Sequence, residues 1–206
     1  MNLKYIIVSF LLIVFISCEK KSDNGIIKNQ QWMTKNLDVD KFQNGTPIKE
    51  AKTTEEWITA LNNQEPAWCY FDFDPNTGAE FGKIYNWYAL TDEQNLAPVG
   101  WKLPNNNDVD ELIKNLGGEL EGGKKIKSKS GWVDEGNGTD DYGLNILPGG
   151  FLDQNVEFSN ITSLGTFWIY SKEDTNFVVL DWYNDEISVT PCDNTYGFYV
   201  RCVKIQ

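Results

Sequence analysis

The chain contains no histidine. That absence removes the usual general base near neutral pH, the commonest zinc ligand and every Ser–His or Cys–His nucleophile pair. Basic residues are also short: 18 Lys and Arg stand against 30 Asp and Glu, a formal net charge of −12. Nucleic acid and anionic membrane surfaces both require a basic face, so neither is expected as a partner. An acidic balance of this size serves solubility; it suits calcium loops too, without demonstrating them. Methionine is scarce, at 2 residues, whereas 17 Gly, 8 Trp, 9 Tyr and 11 Phe imply a loop-rich fold with defined aromatic packing. With 206 residues, 41% of them hydrophobic, one domain with a proper core is the natural expectation.

The first residues, MNLKYIIVSFLLIVFISC, join a short positive start at Lys4 to an apolar run from Tyr5 to Ile16. This reads as an export signal, too short for a membrane span. Phe15-Ile16-Ser17-Cys18 resembles the lipobox of bacterial lipoproteins, in which the cysteine is diacylated and the signal is cut before it. The expected layout is a signal peptide over 1–17, a lipidated Cys18 with a tether over 18–25, and a domain over 26–206. Several acyl chains anchor stably where one would not. Glu19 and the lysines after it resemble surface-export signals of Bacteroidota lipoproteins, implying an exported protein at the outer membrane or cell surface.

Within the domain, Val109, Leu112, Ile113 and Leu116 fall at i, i+3, i+4 and i+7, one apolar stripe of a helix. Asn106 or Asn107 can cap its start, and Gly117-Gly118 supplies the stop. Thr53 or Thr54 begins a second helix, with Trp57, Ile58 and Leu61 on its stripe. Ile84, Trp87 and Tyr88 suggest a third, short and aromatic. Trp101 and Leu103 alternate with Lys102 as an extended segment would. Gly122-Gly123 leads through Lys124–Lys129 to an acidic glycine-rich loop over 134–143. A hairpin or two short strands are expected around Pro148-Gly149-Gly150. TFWIYSK, FVVLDWYNDEISV and GFYVRCVKI supply three β-rich runs, the middle one turning at Asn184-Asp185. Helices early and strands late make the class α+β.

The ordered set WMTKNLDV, NGTPI, WCYFDFDPNTGAEFGKIYNWYAL, APVGWKLPNNNDVDELIKNLGG, LNILPGGF, FWIYSK and GFYVRCVK resembles the Fibrobacter succinogenes major paralogous domain, over about residues 26–206. Lys102 stands where that family usually has His or Arg. The resemblance implies a C-type-lectin-like fold, similar also to formylglycine-generating enzymes, with two or three short helices packed on small antiparallel sheets between long loops. It implies no established activity.

Cys69, Cys192 and Cys202 make an odd number in an exported domain, so one disulfide with one free thiol is expected, in any of three pairings. Cys192 and Cys202 bracket a turn; Cys69 and Cys202 are the two positions that match the family pattern, which favours that pair. Asp72, Asp74 and Asn76 alternate oxygen ligands as calcium loops do, although the EF-hand spacing fails. Trp132 and Trp182 border polar loops and are the better candidates for sugar-stacking surfaces. Beside them, Asp140, Asp141, Tyr183, Asn184 and Asp185 complete a candidate ligand-binding set. No residue stands out as catalytic, and no cofactor beyond calcium is suggested. The expectation is therefore a noncatalytic binding or adhesion module for a glycan or a surface protein. An enzyme of the formylglycine-generating group and a purely structural surface protein are the alternatives.

Overall fold

The computed structural model describes residues 24–205. Cys18 and the expected signal peptide lie outside the described residues, as does most of the tether. The chain runs β1 (Ile26–Ile27), β2 (Gln30–Gln31), β3 (Lys49–Glu50), α1 (Thr54–Asn63), β4 (Ala67–Cys69), α2 (Pro75–Phe81), β5 (Ile84–Asn86) and α3 (Trp87–Thr91). Then come β6 (Trp101–Lys102), α4 (Asn106–Leu116), α5 (Glu119–Gly122), β7 (Gly149–Leu152), β8 (Phe158–Ile161) and β9 (Leu164–Ile169). The chain finishes with β10 (Asn176–Asp181), β11 (Ile187–Pro191), β12 (Gly197–Phe198) and β13 (Val203–Lys204). A six-stranded sheet has the order β3-β4-β5-β12-β7-β8, and a three-stranded sheet the order β11-β10-β9. Pairing is antiparallel apart from β3 with β4, which is parallel. The class is α+β, with one parallel pair in what was expected to be an antiparallel arrangement.

Local chemistry explains where the elements start. Thr53 caps α1 by accepting the Glu56 N–H at 3.3 Å, and Gln64 ends it in the left-handed region at φ 57°. The buried stripe is Trp57 and Ala60; Ile58, expected inside, is 40% exposed. In α4, Val109, Leu112 and Leu116 are buried as the spacing requires. Its cap is Asn105, one residue ahead of the expected pair, because Asn105 and Asp108 complete a reciprocal capping box at 3.0 Å in both directions. The expected helix over Ile84–Tyr88 is half strand. Asn86 divides it: its Oδ1 accepts from Ala89, starting α3, and from Ala67 on the neighbouring strand, while its Nδ2 donates to Glu65 O.

The hairpin expected around Pro148–Gly150 instead turns at Asp153, whose Oδ1 accepts the N–H groups of Asn155 and Glu157. Gly149 and Gly150 belong to β7, where a Cβ would meet the Tyr199 ring at 2.8 Å and Ser159 O at 2.2 Å. The last expected β-run splits into β12 and β13, which serve different sheets. Trp168 lies fully buried among these layers, edge-on to Phe198 at 4.6 Å, with its indole N–H on Tyr85 O at 2.8 Å.

Cys69, Cys192 and Cys202 are all free. The expected disulfide is absent, and for the favoured pair, Cys69–Cys202, the reason is that the two thiols sit in separate clusters. Cys69 packs with Trp57 and Tyr199, and Cys202 with Leu37 and Tyr85.

Candidate ligand surface

The turn between β10 and β11 (residues 182–186) and the loop 132–141 meet around one buried cation. Lys127, 1% exposed, follows a 3-10 turn at Gly123–Lys125. Its ammonium donates to Asp181 O at 3.1 Å and to Asn184 O at 2.8 Å. Asp185 Oδ1 is 3.7 Å away, and the Trp132 ring centroid 5.1 Å. Burial pushes the Lys127 amine below its ordinary range, against the opposing pull of Asp185. One lysine thus holds the hairpin turn against the acidic loop.

Backbone contacts lock the same three segments. Gly123 N–H bonds Asp185 O at 2.8 Å, Gly138 N–H bonds Ser128 O at 2.8 Å and Thr139 N–H bonds Lys124 O at 2.7 Å. Gly136 is needed for this approach, since a Cβ there would lie 2.6 Å from Trp182 O. The loops are therefore fixed by main-chain pairing although they belong to no sheet.

The sequence-predicted residues divide on this surface. Trp132, expected to be exposed, is 5% exposed. Its indole N–H bonds Ser128 Oγ at 2.9 Å and its ring packs in the core beneath Lys127, so it is a structural residue. Trp182 is half-buried against that core, and Tyr183 is 67% exposed. Their rings stand edge to face at 5.9 Å. Asn184 Oδ1 accepts the Glu186 N–H at 3.0 Å and so shapes the turn. Asp185 pairs with Lys124 and Lys127, each at 3.7 Å. Asp140, in the left-handed region at φ 44°, accepts the Asn145 N–H at 2.8 Å, and Asp141 N–H bonds Lys125 O at 2.8 Å. Asp181 Oδ1 is buried without a hydrogen-bond partner.

The calcium candidates do something else. Asp74 caps α2, taking both the N–H of Asn76 at 2.9 Å and its side-chain amide at 2.7 Å, while Asp72 sits in a preceding 3-10 turn at φ 56°. The alternation read as ligands is the start of a helix. Among the described residues no group of three or more His, Cys, Asp and Glu is placed to hold a metal ion.

Three buried cations, Lys127, Arg201 and Lys83, were not singled out by the sequence. Arg201, the chain's single arginine, is 1% exposed and donates to Asn36 Oδ1, Met33 O and Leu144 O. From the stretch between β12 and β13 it ties the amino-terminal segment to Leu144, and burial lowers its pKa to about 9. Lys83 bonds Asp38 and lies over the Trp68 ring at 4.5 Å. The run KKIKSKS offers no pattern that distinguishes Lys127 from the solvated lysines beside it. Arg201 was signalled only by the RCV segment of the family resemblance.

The fold and its interlocked loops define an α+β domain whose candidate site is a loop surface rather than a cleft. The chain belongs to the Fibrobacter succinogenes major domain family, whose model matches residues 26–204. No curated protein and no solved structure matches it. Among the described residues no helix is long and apolar enough to cross a membrane.

Proposed function

We propose that this is a noncatalytic binding module that presents the fixed loops 132–141 and 181–186 to a carbohydrate. The observation that carries the reading is Tyr183, 67% exposed and braced edge-on by Trp182, on a turn pinned by Lys127. A preorganised aromatic ring stacks on a sugar face at little entropic cost, and Asp185, two residues along the same turn, is a carboxylate that accepts from sugar hydroxyls. The thiols argue against cysteine nucleophiles in particular: burial pushes Cys192 and Cys202 up to about 12 and raises Cys69 as well, far from a reactive thiolate. The C-type-lectin-like reading is supported by the short strands and the long strand-free stretch between α5 and β7, although among the described residues the helices number five where two or three were expected and one sheet has six strands. We read the module as exported and lipid-anchored through Cys18, at the outer membrane or cell surface.

A glycan array probed with residues 24–206, in calcium and again in chelator, tests this. Glycan binding that Tyr183→Ala abolishes while unfolding is unchanged supports it. Binding that survives Tyr183→Ala, or none in either buffer, ends it. Loss on chelation alone would move the site to the carboxylates.

A further inference from the structure

The three-stranded sheet ends on β11, beside a groove that shares only Glu186 with the loop surface. Cys192 donates its N–H to Thr175 O at 2.9 Å, one pair beyond the last registered partners, Asn176 and Pro191. Bonded pairs alternate along an antiparallel ladder. Ser188 and Thr190 therefore turn their main-chain groups toward β10, while Ile187, Val189 and Pro191 turn theirs outward. Asp185 has the same phase, since its carbonyl points out of the ladder and takes the Gly123 N–H at 2.8 Å. Ile187 is 1% exposed, packed against Gly122 of α5, so the open edge begins at Val189, whose outer groups no hydrogen bond covers among the described residues.

Natural sheets blunt such an edge with charge, shortness, a bulge or proline. The segment Ile-Ser-Val-Thr-Pro carries no charge and is rich in β-branched residues; α5 covers its start at Ile187 and Pro191 blunts its far end, which leaves Val189 open between them. Val189 is 42% exposed. Beside this edge a groove of about 530 Å³ runs along α4 and the start of α5. Val109 and Ile113 give it an apolar side, Asp110, Glu119 and Glu186 an acidic one, and no lysine or arginine lines it.

We infer that β11 takes an extended, lysine- or arginine-rich segment of a partner protein as an added strand. The outward N–H and C=O of Val189 and the outward carbonyl of Pro191 supply main-chain pairing, and the acidic wall selects a basic segment by charge. A second copy of this chain is the wrong occupant. It would set the same acidic wall against itself, in a protein of net charge −12.

The test uses the full-length chain in nonionic detergent and a fluorescein-labelled peptide of four Val-Lys repeats, followed by anisotropy and by amide hydrogen exchange. Salt-sensitive binding is expected, with slowed exchange at Val189. Val189→Pro removes an N–H that β10 does not use, so it should weaken binding more than tenfold with the near-UV spectrum unchanged. Asp110→Lys with Glu119→Lys, neither on the loop surface, should weaken it by a similar factor even if the proline variant misfolds. No binding, equal binding by Val189→Pro and the parent, equal binding of a Val-Glu repeat, or an edge-paired dimer in sedimentation would each overturn the inference.

Discussion

Replacing Lys127 by methionine asks whether one buried ammonium holds the loop surface together. Methionine keeps the length and the apolar stem but removes the charge and its donors. Two carbonyl oxygens, Asp181 O at 3.1 Å and Asn184 O at 2.8 Å, then lose their donor where the lysine side chain was only 2% exposed. Each such orphaned acceptor costs about 1–3 kcal/mol. The ion pair with Asp185 at 3.7 Å and the contact with the Trp132 ring at 5.1 Å are lost as well. Against this, the variant no longer holds an ammonium out of water, a cost visible in the lowered pKa. The expected net loss is about 2–4 kcal/mol, or about 5–15 °C in Tm for a domain of this size. Urea unfolding followed by tryptophan fluorescence measures it. The pH arm carries its own sign. The native amine gives up its proton below the unfolded value near 10.5, so this group's contribution to stability rises with pH between the two. Lys127→Met should lack that rise. A loss under about 1 kcal/mol, or an unchanged alkaline profile, would refute the idea that Lys127 organises the loops.

Two further outcomes follow from the geometry. Asn105→Ala removes one half of the α4 capping box and should cost about 1 kcal/mol in thermal or urea unfolding, whereas Asn106→Ala, at the position first expected to cap, should cost far less. Cys202, buried and pushed from 9.0 to about 12, keeps its proton when folded and loses it earlier when unfolded. Its contribution is therefore intact below pH 9 and falls as pH rises from there, by about 1.4 kcal/mol per pH unit. Cys202→Ala should flatten the alkaline limb of a stability–pH curve by that slope, and an unchanged limb would show that the thiol titrates normally in the folded chain.

Much of this protein was legible without coordinates because its local signals are strong. The Val109–Leu116 stripe, the Thr53 cap, the Gly117 stop and the turn at Asn184-Asp185 are each decided within a few residues by backbone preference and side-chain periodicity. The ordered aromatic segments carried the family, and the acidic, histidine-free composition carried the limits on chemistry. Where two local readings competed, a distant partner chose. Asn86 stopped a helical pattern because Ala67 and Glu65 needed its amide, and Asp74 became a cap because the chain turns into α2 there.

Burial was the least legible property. Trp132 and Trp182 lie in similar polar neighbourhoods along the chain. Only the docking of the hairpin turn onto the 132–141 loop puts the first under Lys127 and leaves Tyr183, beside the second, in solvent. The same holds for Cys69 and Cys202, which the fold places in separate clusters. It holds too for Lys127 and Arg201, whose partners lie 54 and 57 residues away or farther. Sequence by itself determined the main amphipathic helices, their stops and the β-rich carboxy-terminal third. The tertiary structure decided which charges are buried, which aromatics face water and which loops meet, because burial and long-range hydrogen bonding depend on neighbours that no local pattern specifies.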